Sequence, residues 1–142
     1  MKKKLAITVL ALLPLIVTAE GNPYLFDFVQ GKETGKAYHD LIGKSNLPSW
    51  VKNGGTSSPA NEITIGGAKY LALSGCKPHS CSEQSIAILY SLDKGDIHGV
   101  FSEYDTTTSR QSLTWMNLDP MDSGEMRNIL FNRLNGDVST TK

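Results

Sequence analysis

The chain has 142 residues, the size of one domain, and carries 14 Lys and Arg against 14 Asp and Glu. That balance excludes the strongly basic surface by which proteins hold nucleic acid. With only two cysteines, a single disulfide need not hold together a chain long enough to bury a real core.

Met1 to Ala19 reads as an export signal, cleaved and outside the fold. Lys2, Lys3 and Lys4 form a basic start, and Leu5 to Val17 is apolar apart from Thr8 and Pro14. Val17-Thr18-Ala19 then places small residues where a signal peptidase cuts. The run falls short of the roughly 20 apolar residues of a spanning helix, so no membrane attachment is expected after cleavage. Residues 20–142 would form the mature domain. Loss of the three lysines leaves 11 basic residues against 14 acidic ones, a net charge of about −3. Such a surface disfavours nucleic acid and favours a cationic protein partner. The destination is the periplasm or the cell exterior, an oxidising place where Cys76 and Cys81 can pair.

Tyr24 to Val29 is aromatic and apolar and fits either a strand or a short helix. Glu33 to Lys44 has Ala37 and Leu41 at helical spacing and predicts a helix. Pro48 excludes a helix interior, Trp50 reads as a core anchor, and Asn53-Gly54-Gly55 marks a turn. Ser57-Ser58-Pro59 reads as a loop. From Glu62 the pattern is that of strands: Glu62 to Ile65, a turn at Gly66-Gly67, then Lys69 to Leu73. Ser85 to Ser91, Ile97 to Tyr104 and Leu113 to Leu118 follow, with a turn at Asp93 to Asp96 and a polar connection at Asp105 to Ser109. Glu125 to Leu134 predicts a helix with Met126, Ile129, Leu130 and Leu134 on one face, ended by Gly136. The expected class is α+β: one domain, an antiparallel sheet of about five strands, and helices packed at one face or end.

Enzyme signatures are scarce. There is no nucleophile elbow, phosphate loop, zinc-protease helix or dinucleotide fingerprint, so the chain is not expected to be an enzyme or to need a cofactor. His39 and His98 read as ordinary helix and strand residues. Cys76-Lys77-Pro78-His79-Ser80-Cys81 stands apart. Its Cys-x4-Cys spacing between strands does not suit thiol redox catalysis. Cys76, His79 and Cys81 on six residues would strain a tetrahedral metal site. A disulfide would instead pinch the segment into a protruding hairpin tip. Pro78 would stiffen that tip, and Lys77 and His79 would point donors outward. On pattern alone, a braced hairpin with solvated side chains is a slightly better reading than a plug for an acidic site.

That loop resembles the Cys-Lys-Pro-His-Asp-Cys loop of the Ivy family, periplasmic inhibitors of vertebrate (c-type) lysozyme. Leu47-Pro48-x-Trp50-Val51-x-x-Gly54-Gly55-Thr56-x-x-Pro59-Ala60 resembles the family's segment before the sheet. Leu113-Thr114-Trp115-x-Asn117 resembles its strand after the loop. The resemblance implies a loop inserted into the lysozyme cleft, with His79 at the two catalytic carboxylates, Lys77 as charge support, and Pro78 and a Cys76–Cys81 disulfide as brace. It implies c-type lysozyme as partner, and a homodimer, since the family includes homodimers. Ser80 stands where the family commonly has aspartate, which bears on potency. The alternative is a periplasmic binding or stress module acting on the cell's own murein-cleaving enzymes.

Overall fold

A computed structural model describes residues 22–121 and 123–135. The expected signal segment, Gly136 and the tail beyond it lie outside those residues. Five strands form one antiparallel meander in the order β1 (Thr56–Ile65), β2 (Ala68–Cys76), β3 (Gln84–Ser91), β4 (Ile97–Asp105) and β5 (Arg110–Met116). Among the described residues three helices accompany it: α1 (Leu25–Phe28), α2 (Lys32–Ile42) and α3 (Gly124–Leu134), with a 3₁₀ turn at Ser49–Asn53. The Tyr24–Val29 stretch therefore resolves as a short helix.

The helices do not gather at one face or end, as expected; they cover both faces of the sheet. The cause is in the strands. β2, β3 and β4 are apolar at successive positions, and successive side chains point to opposite faces. Leu73, Ile86, Ile88 and Phe101 face one side, against Leu25, Phe28, Tyr38, Leu41 and Val51. Ala72, Ala87, Leu89 and Val100 face the other, against Leu130. Each large side chain so buried contributes about 1.5–3 kcal/mol. That outweighs capping, worth about 1 kcal/mol, and α2 starts at Gly31 without a side-chain cap bond. Packing holds it.

β1 begins earlier than expected and runs through Ser57-Ser58-Pro59. Proline is tolerated because β1 is an edge strand and its register shifts between Ser58 and Asn61. Arg133, only 2% exposed, secures this bulge from α3. It donates to the Asn61 Oδ1 at 2.7 Å and to the Pro59 carbonyl at 2.8 Å. β5 lies earlier than expected, at Arg110–Met116. Asn117 ends it in the left-handed region, with φ +53°. The Asn117 amide donates to the Ile97 carbonyl at 2.7 Å, and its own carbonyl meets His98 Nδ1. His98 thus ties the start of β4 to the residue after β5.

Candidate functional site

The cysteine loop joins β2 to β3, neighbouring antiparallel strands. Cys76 and Cys81 form a disulfide with Cα atoms 4.7 Å apart. Pairing removes both thiolates, which leaves no Cys–His–Cys metal set. Pro78, His79 and Cys81 are exposed, while Lys77 and Ser80 are half-buried. The hairpin therefore ends in a tip whose outermost side chains include His79.

The tip is a tight turn. The Ser80 amide donates to the Lys77 carbonyl at 3.0 Å, which makes Lys77 to Ser80 a β-turn with Pro78 second and His79 third. His79 has φ +66°. Proline second and a positive φ third are the marks of a type II turn, whose third position ordinarily takes glycine or asparagine. A non-glycine residue there costs about 1–2 kcal/mol. The surrounding bonds must hold it. The Glu83 and Gln84 amides both donate to the Ser80 carbonyl, at 3.0 and 3.3 Å, and the Lys77 amide donates to the Gln84 carbonyl at 3.0 Å. Ser80 thus braces the loop through its main chain, a contribution that does not need aspartate there.

Beneath the tip lies the segment from Leu47 to Thr56. Val51 is fully buried, and the Tyr38 hydroxyl donates to its carbonyl at 2.5 Å. Burial pushes the Tyr38 phenol well above the ordinary tyrosine range. Gly55, with φ +62°, leaves no room for a side chain. A Cβ there would come within 2.2 Å of the Cys76 carbonyl and 2.7 Å of the Trp50 ring. Trp50 packs on the core as expected, with its ring 6.2 Å from Phe101. Its polar edge does more: Nε1 donates to Gln84 Oε1 at 2.7 Å. The Gln84 amide then donates to Glu103 Oε2 at 3.2 Å. Cys76 Sγ lies 3.5 Å from the Thr56 carbonyl; a disulfide sulfur has no proton to donate, so this is packing.

Of the sequence-selected residues, all six of the loop are brought together, and the two flanking motifs serve different ends. The Leu47–Ala60 segment buttresses the loop. The Leu113–Asn117 block closes the far side of the sheet. Gln84 went unnoticed in the sequence because a polar residue opening a strand carries no local signal. Among the described residues no helix is long and apolar enough to cross a membrane. A groove of about 400 Å³ between the Asn46–Pro48 segment and strands β4 and β5, lined by Pro48, Phe101, Glu103 and Thr114 among others, presents a single carboxylate.

Residues 33–131 match the family model described as inhibitor of vertebrate lysozyme (Ivy). The chain is 34% identical over 135 residues to the inhibitor of vertebrate lysozyme of Escherichia coli (strain K12), a match covering 94% of this chain and 86% of that protein. It is 30% identical over 84 residues to the inhibitor of vertebrate lysozyme of Pseudomonas aeruginosa, covering 58% of this chain and 55% of that one.

Proposed function

The chain belongs to the Ivy family, described as inhibitors of vertebrate lysozyme, and from that premise we propose that it inhibits c-type lysozyme by seating the Cys76–Cys81 loop in the active-site cleft. His79 engages the two catalytic carboxylates. The observation that carries this reading is the tip: an exposed imidazole on the third residue of a proline turn, closed by a disulfide. Retaining glycoside hydrolases place their two carboxyl groups about 5 Å apart. An imidazole between them can donate from one nitrogen to the ionised group and accept at the other from the protonated one. It also fills the space that the sugar needs.

Rigidity raises affinity because few groups must be ordered on binding. Pro78 and the disulfide provide it, and Lys77 adds positive charge toward an acidic cleft. The mature chain as a whole, after export by residues 1–19 to the periplasm, is acidic by about three charges. A cationic lysozyme is then steered toward it.

Competition tests the insertion directly. Calorimetric titration of c-type lysozyme with residues 20–142 should give tight binding that an N-acetylglucosamine oligomer, occupying the cleft, weakens in proportion to its own saturation. Binding indifferent to the oligomer would place the contact outside the cleft.

A further inference from the structure

His79 stays at φ +66° only if something outside the turn opposes relaxation, and the disulfide alone pins just the two ends of the ring. Gln84 is the residue on which the remaining restraints converge. Its carbonyl accepts the Lys77 amide at 3.0 Å and its amide donates to the Ser80 carbonyl at 3.3 Å, one residue to either side of Pro78-His79. Its side chain is itself fixed at both polar atoms: Oε1 accepts from the Trp50 indole at 2.7 Å, and Nε2 donates to Glu103 at 3.2 Å. Trp50 rests on the core beside Phe101, and Glu103 lies directly opposite Gln84 on β4. The two side-chain bonds differ in strength. The indole bond is short and partly buried, whereas the carboxylate bond is longer and exposed, so water competes mainly with the second.

We propose that Gln84 is a positioning residue: held between Trp50 and Glu103, it transmits the rigidity of the core to the tip and fixes how His79 is presented. Its bearing on inhibition rests on the reading of His79 given above. The presentation itself is a property of the free protein. Without the side-chain clamp, the Gln84 backbone is free to move with the loop, and both hydrogen bonds that frame the turn loosen together.

The test uses Gln84→Met, which keeps length and loses both polar ends, in the mature chain with His79 and with His79→Ala. A second pair, Gln84→Glu alone and with Glu103→Gln, reverses the polarity of the Gln84–Glu103 bond while leaving an acceptor for the indole. NMR relaxation of the free protein reads order at residue 79, thermal unfolding reads the fold, and titration reads lysozyme affinity. The expected results are raised mobility at residue 79 in Gln84→Met, with thermal unfolding little changed. Affinity should fall about tenfold, the loss expected for about one well-made hydrogen bond, and only when His79 is present. Gln84→Glu should behave likewise, and adding Glu103→Gln should restore order and affinity. Unchanged order at residue 79 in Gln84→Met, an equal affinity loss in the His79→Ala background, or no rescue by the pair would overturn the proposal. If the parent chain fails to bind lysozyme at all, the functional reading falls, and the relaxation data still decide the role of Gln84.

Discussion

His79 follows Pro78 directly, and the two divide one turn between them: the ring of Pro78 presets its own φ, and His79 takes φ +66° to complete the reversal. Position and function can therefore be separated by substitution. His79→Ala removes the imidazole but leaves a Cβ in the left-handed region. His79→Gly removes the imidazole and accepts that region freely. Both should weaken lysozyme binding by about 2 kcal/mol or more, roughly 30-fold. His79→Gly should leave thermal stability equal to or above that of the parent. Retained affinity in His79→Gly would assign the binding energy to the loop's backbone shape instead.

The disulfide restrains the tip more than the domain. β2 and β3 pair in continuous register from Tyr70–Ser91 to Cys76–Ser85, so the sheet reaches the loop root without help from the ring. Replacing Cys76 and Cys81 together by serine should cost at most about 2 kcal/mol, the chain-entropy value for a loop this short. Chemical denaturation measures that. Inhibition should fall further than stability does, because the freed tip must be ordered on binding.

Gly55→Ala tests the buttress. Its Cβ would meet the Cys76 carbonyl and the Trp50 ring, both at distances real atoms do not adopt, and at a positive φ. Overpacking and backbone strain together should cost about 3 kcal/mol. The damage should extend to the loop, since the Cys76 carbonyl belongs to it and the Trp50 ring supports it. A neutral Gly55→Ala, read by denaturant unfolding, would mean that the Trp50 segment can yield without disturbing Cys76.

Much of this architecture was legible in the residues. Alternation in Glu62 to Ile65 and apolar runs from Lys69 to Leu73 and Ser85 to Ser91 marked neighbouring strands, and Gly66-Gly67 marked their first turn. The loop's place at a hairpin tip followed. Three features were not legible. Amphipathic helices do not announce which face of a sheet they cover, so α3 was not placed opposite α1 and α2. Pro59 read as a loop because an edge strand with a bulge has no local signature, and its partner Arg133 lies more than 70 residues away. Gln84 joined the site only through register with Glu103 and the fold of the Trp50 segment, both long-range facts.

Tyr38 supplies a pH signature for the core below the loop. Burial raises its phenol above the ordinary value near 10. The unfolded chain therefore gives up that proton first. The stability it provides is complete below about pH 10 and is lost as pH rises beyond it. Tyr38→Phe loses the bond to the Val51 carbonyl and should cost about 1 kcal/mol at neutral pH. It should also flatten the alkaline decline of stability seen in the parent. Parallel declines in the two proteins, followed by denaturant unfolding from pH 9 to pH 11, would contradict the assignment.

As proposed, this chain blocks c-type lysozyme through His79. Lysis of peptidoglycan-rich cells by a c-type lysozyme, followed by turbidity with increasing residues 20–142 and with the His79→Gly form beside it, tests that claim most directly. The parent should abolish lysis near stoichiometric amounts, while the variant should require a large excess. Undiminished lysis at micromolar excess of the parent would contradict it and turn attention to the cell's own murein-cleaving enzymes.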